Sequence, residues 1–73
     1  MNLTKANVAE VVAKVTAVRT TNSGPLWVAL HADTGSAMDN ALLLADFLNQ
    51  VPADRAARAK VSFDQLGKLH VFI

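Results

Sequence analysis

Between Ser36 and Pro52 runs a segment with more apolar surface than one core needs, and that excess constrains the fold more than any other feature of the chain. Ser36 is placed to accept a hydrogen bond from a backbone N–H in the first turn of a helix, and Asp39 can reach back toward the cap. Asp39 also sits at the positive end of the helix dipole. The chain then carries Ala41, Leu42, Leu43, Leu44, Ala45, Phe47, Leu48 and Val51 before Pro52 ends the pattern. A helix over Ala37 to Gln50 is predicted. At about 100° per residue, Asp39, Asp46 and Gln50 share a narrow polar stripe, while the leucines, Met38 and Phe47 cover most of the circumference. One apolar face belongs to the chain's own core. The second is either covered inside the same small domain or meets another chain.

Ahead of this helix, Leu26 to Leu30 is an uncharged run between Ser23-Gly24-Pro25 and the polar stretch His31 to Ser36, and it reads as a buried strand bounded by turn signals. From Thr4 to Arg19 the valines at 8, 11, 12, 15 and 18 keep to one side of a helix, with Glu10 and Lys14 as an i, i+4 pair and Thr4 as the cap. A competing pattern exists in the same residues. Lys14 to Thr21 is rich in β-branched side chains and could pair as a strand with Leu26 to Leu30 across Asn22 to Pro25. After the central helix, Pro52-Ala53-Asp54 opens one or two helical turns carrying Arg55 and Arg58. Lys60 to Phe63 alternates, Asp64 to Lys68 reads as a turn, and Leu69 to Ile73 reads as a final strand, so the chain closes on a hairpin. An apolar C-terminus of this kind is expected to be held by pairing, in its own sheet or against a second copy.

The expected fold is α+β: a small, single-layer, mostly antiparallel sheet packed against one or two helices, in the order α-β-α-β-β, with β-β-α-β-β as the alternative. Seventy-three residues are expected to form one compact domain, residues 1–73. At that size only about 60% of the unfolded surface is buried, so burial and ordering entropy nearly cancel, and self-association would add stability. Cysteine is absent, which removes disulfides and thiolate metal sites. No signal-peptide pattern and no apolar run near membrane-span length is seen, so a cytoplasmic protein with no membrane contact is expected. Seven basic and six acidic residues leave a net charge of +1, too little to argue for nucleic acid from composition.

Asp33-Thr34-Gly35-Ser36 resembles the active-site loop of the aspartic proteases, in which two carboxylates share a proton across a pseudo-dyad or homodimer axis. The resemblance covers these four residues. His31-Ala32 stands where that family has an apolar pair, and the hydrophobic-hydrophobic-glycine segment and glycine-rich flap are missing. Read from the residues alone, Asp33 and Ser36 are turn and cap residues leading into the helix. His31 and His70 are the two histidines, and a metal site would require them to converge with a carboxylate such as Asp33. No local ligand spacing supports that, and no cofactor motif is present. Arg55, Arg58, Lys60 and Lys68 form the densest basic group, with Phe63, Phe72 or Trp27 as possible stacking partners for bases.

These features point to a non-enzymatic protein-interaction module, of the kind found among small inhibitors and adaptors of phages and mobile elements. Its expected partner is a larger protein complex, and a homodimer is expected. The expected contact residues are Arg55, Arg58, Lys60, Lys68, Leu43 and Phe47. A small nucleic-acid-binding protein using the Arg55 to Lys68 region is the alternative, and a dimeric aspartic hydrolase using Asp33-Thr34-Gly35 a remote one.

Overall fold

A computed structural model describes residues 1–18 and 26–73. Helix α1 (Val8–Ala17), strand β1 (Ala29–Ala32), helices α2 (Ala37–Gln50) and α3 (Ala53–Arg58), and strands β2 (Lys60–Phe63) and β3 (Leu69–Phe72) follow in that order. The three strands form an antiparallel sheet in the order β1-β3-β2. The C-terminal strand is therefore the central one, tied down inside its own sheet, and Val28 and Ile73 extend its pairing by exchanging both backbone hydrogen bonds.

One face of the sheet makes the core. Leu30 and Ala32 from β1, with Leu69, Val71 and Ile73 from the C-terminal strand, point toward the helices and are buried. Val8, Val11 and Val15 of α1 and Leu43 and Phe47 of α2 meet them, so period-two and period-3.6 patterns close on one cluster. The salt bridge Glu10–Lys14, 3.1 Å long, lies on the exposed side of α1.

Helix α2 spans the residues predicted for it, and the Ser36 hydroxyl caps it by accepting from the Asp39 N–H. Helix α1 starts later than predicted. Asn7, not Thr4, precedes its first turn, and the Asn7 amide faces backward, accepting from the Thr4 N–H and donating to the Asn2 carbonyl. The residues before it are needed elsewhere: Met1 to Leu3 lie alongside β1, where the His31 N–H donates to the Met1 carbonyl and the Leu3 N–H to the His31 carbonyl. Leu3 is buried by that docking. The alternative strand fails over Lys14 to Ala17, which are helical. Val18 caps the helix in an extended conformation, and Arg19 to Thr21, with the predicted Asn22 to Pro25 turn, lie outside the described residues.

Strand β1 also sits further along the chain than predicted. Leu26 and Trp27 are exposed, and His31 and Ala32, read as a polar break, are strand residues. The cause is one-sided burial. β1 has a core face and an open face, so it alternates where a run buried on both faces would have been continuous.

Two turns are joined by one buried amide. Asn40, 1% exposed, accepts at Oδ1 from both the N–H and the hydroxyl of Thr34 and donates from Nδ2 to the Gly67 carbonyl. It thus links the β1-to-α2 connection to the β2–β3 hairpin. Gly67 has φ of +80° and a Cβ there would lie 2.9 Å from the Ala37 Cβ, so glycine is required both by conformation and by the approach of α2.

Candidate functional site

The face of the sheet turned away from the helices is built by alternation. Ala29, His31, His70, Phe72, Lys60 and Ser62 project there, in registered rows: Ala29, Phe72 and Lys60 in one, His31, His70 and Ser62 in the next. Phe72 is 52% exposed and Trp27 is 44% exposed. Arg58 lies 4.6 Å from the Trp27 ring centroid and Lys60 5.6 Å from it, so two cations rest on one indole.

Histidines 31 and 70 converge on this face. They are cross-strand partners, and because His31 uses its N–H and C=O on the Met1 to Leu3 segment, the pair is of the non-hydrogen-bonded kind, in which side chains come closest. Their Nδ1 atoms are 3.2 Å apart and their rings meet edge to face at 78°. The carboxylate that joins them is Asp64, not Asp33: Asp64 Oδ2 is 3.3 Å from His70 Nε2. Asp64 Oδ1 in turn accepts from the N–H groups of Leu66 and Lys68, which shape the hairpin turn.

This geometry shifts two pKa values. His31 is held below its ordinary value by desolvation first, then by the positive N-terminus, His70 and Lys68. At Asp64 desolvation acts upward, but the hydrogen bonds from the His70 side chain and the Lys68 and Leu66 N–H groups outweigh it and hold the carboxyl low. The unfolded chain therefore binds more protons than the folded one just below the ordinary imidazole pKa of about 6.5, and again below the ordinary carboxylate range. The stability due to His31 is complete above about pH 6.5 and is lost as pH falls through its folded pKa. That due to Asp64 is lost similarly at lower pH. The thermal midpoint, followed by circular dichroism, is expected to fall in two steps on acidification, and His31→Gln is expected to remove the first step alone.

The contact residues expected from sequence do not share one surface. Leu43 and Phe47 are core residues, 4% and 0% exposed, because they lie on the face of α2 turned toward α1 and β3. The uncovered face of α2 carries Met38 and Leu42 instead, at 74% and 63% exposure. The Arg55 guanidinium donates to the Val18 carbonyl and that of Arg58 to the Leu26 carbonyl, so α3 holds the two chain segments that flank residues 19–25. Lys60 opens β2, whereas Lys68 lies past Phe63 at the hairpin end of the sheet. The four cations are thus dispersed, with Arg58 and Lys60 alone meeting at Trp27.

Three residues of the protease-like string, Thr34, Gly35 and Ser36, have local tasks. Thr34 bonds Asn40 and the Ser36 carbonyl, Gly35 takes φ of +86°, and Ser36 caps α2. A depression of about 340 Å³ lies on α2, lined by Lys5, Asp39, Leu42, Leu43 and Asp46, and none of the string's residues lines it.

Sequence reading missed the outer edge of the sheet. All four residues of β2 are exposed, and Val61 and Phe63, at 43% and 45%, lie on the core side of the sheet beyond the cover of the helices. The signal was present in their alternation, but which hairpin strand becomes the edge depends on where β1 pairs. Comparison with protein-family models, with curated proteins and with solved structures finds no match. No helix among the described residues is long and apolar enough to cross a membrane.

Proposed function

We propose that this chain is a non-enzymatic protein-interaction module that works as a homodimer, assembled through the open edge of β2. The observation that carries the reading is an edge strand exposed along its whole length, with two half-exposed apolar side chains on the face continuous with the core. The Asp64 N–H donates to the Lys68 carbonyl, and alternation from that pair directs the backbone of Ser62 toward β3 and those of Val61 and Phe63 outward.

A second copy satisfies this edge with the right chemistry. Antiparallel pairing of β2 with itself about a two-fold axis at Ser62 hydrogen-bonds Val61 to Phe63 of the second copy, and the reverse. On the core side this sets apolar against apolar. On the open side it places Lys60 opposite Asp64 of the second copy, cation against carboxylate. The sheet becomes continuous across six strands, and its open face carries two Trp27–Phe72 groups as a surface for a larger protein partner, as an inhibitor or adaptor would need. Nucleic-acid binding is less well supported, because among the described residues the dispersed cations leave only Arg58 and Lys60 beside an aromatic ring. A dimer of this kind also holds the two Asp33 side chains apart, since β1 and β2 are opposite edges of the sheet.

Four residues per edge make a small interface, so dissociation in the micromolar range is expected. Molar mass by light scattering over a dilution series should move from two chains to one. Phe63→Lys, which sets a charge on each side of the two-fold axis, is expected to give a monomer at every concentration with an unchanged circular dichroism spectrum. A monomer for the unaltered chain at high micromolar concentration would refute the dimer, and so would a dimer that Phe63→Lys leaves intact.

A further inference from the structure

Of the clusters outside the β2 edge, the row of His31, His70 and Asp64 has the most defined chemistry. A carboxylate only accepts, so the 3.3 Å contact makes His70 Nε2 a protonated nitrogen, and in the neutral imidazole the proton-free nitrogen is then Nδ1. With that tautomer, the 3.2 Å contact has His31 carrying its proton on Nδ1 and donating it. His70 thus offers Nδ1 as a donor atom for a metal ion, with its other nitrogen bonded to a carboxylate that is itself anchored by two backbone N–H groups. That is the carboxylate–histidine arrangement that orients imidazoles toward metal ions.

We propose that His31 and His70 form a two-histidine chelate for a borderline divalent transition ion such as Zn²⁺, Ni²⁺ or Cu²⁺, with Asp64 positioning His70 from behind. Two nitrogens 3.2 Å apart can reach one ion once each ring turns its Nδ1 from the other nitrogen toward a shared position. At metal–nitrogen distances of about 2.0–2.1 Å they subtend an angle of about 100° at the metal, within the range of tetrahedral and octahedral coordination. Binding requires His31 to move its proton from Nδ1 to Nε2 through solvent; both rings stay neutral and the charge of the protein is unchanged. Imidazole ligands select these ions over Mg²⁺ and Ca²⁺, which take oxygen. Among the described residues no group of three or more histidine, aspartate or glutamate side chains is placed to hold a metal ion, so the remaining positions belong to water. The pair lies on the open face of the sheet, where His70 is about one third exposed, and those positions face solvent.

The test is a Zn²⁺ titration of the full chain labelled with ¹⁵N, reading the imidazole nitrogens, with Mg²⁺ as the control. Zn²⁺ is expected to shift the Nδ1 signals of His31 and His70 together at one ion per chain, with the His70 Nε2–H signal retained, and Mg²⁺ to shift neither. By calorimetry, His31→Gln and His70→Gln are each expected to weaken Zn²⁺ binding at least tenfold, and Asp64→Asn to weaken it about tenfold while keeping the stoichiometry. If Zn²⁺ leaves both Nδ1 signals in place, or moves one without the other, the chelate is refuted. The imidazole spectra of the unaltered chain decide the matter even if a variant unfolds.

Discussion

Phe47→Ala is expected to remove a large share of this protein's stability and to move its urea midpoint far lower at ambient temperature. Phe47 is the largest fully buried side chain, at 0% exposure, and it stands where α2 meets both α1 and the central strand. Removing a buried phenylalanine costs about 3–5 kcal/mol, from lost transfer free energy and the cavity left behind. A chain of 73 residues has a total stability of only about 4–11 kcal/mol by the usual per-residue range. The loss is therefore a large share of the whole. Leu42→Ala, five residues earlier on the same helix and 63% exposed, is expected to change stability by no more than about 0.5 kcal/mol. Urea unfolding of the two variants, followed by circular dichroism, compares them directly. Similar midpoints would mean that α2 packs by its other face.

Asn40→Leu has the second largest expected effect, and it tests how the loops are held. The substitution removes one acceptor used twice by Thr34 and one donor used by Gly67, and leaves the Gly67 carbonyl without its partner beside a helix. A destabilisation of about 2–4 kcal/mol is expected, from a part-buried carbonyl left unpaired and two further bonds lost. Asn40→Asp should be at least as severe near neutral pH, because the carboxylate cannot donate to Gly67 and would be charged in a buried site. Its deficit is expected to shrink on acidification as the carboxyl takes up a proton. The check is the urea midpoint at neutral and mildly acidic pH, corrected for the acid response of the unaltered chain. An Asn40→Asp deficit independent of pH would contradict the assigned donor role.

Some of this architecture was legible from residue order. Ser36 and Pro52 mark α2 because a cap and a ring without an N–H act on the adjacent backbone and need no distant partner. The valines of α1 and the alternation of the final hairpin are likewise local periodicities, each set by one element's own geometry. The excess of apolar surface on α2 was also readable, although the sequence assigned it to Leu43 and Phe47 when the uncovered residues are Met38 and Leu42. A helical pattern shows that two faces exist. Which one the sheet takes is settled by packing.

Everything involving distant pairs had to wait for the tertiary structure. Thr4 looked like a cap until Met1 to Leu3 were seen to be held by His31, a contact with no trace in local composition. The edge position of β2 follows from β1 choosing β3 as its partner, and strand order depends on the free energy of the whole sheet. His31 and His70 are 39 residues apart, and their meeting needed two strands in one register and on one face; a slip of one residue would have placed one ring in the core. Sequence by itself determined the elements, because propensity, capping and periodicity act within a few residues. Tertiary structure decided the surfaces, because an exposed edge or a pair of facing imidazoles exists only once separate segments have been brought together.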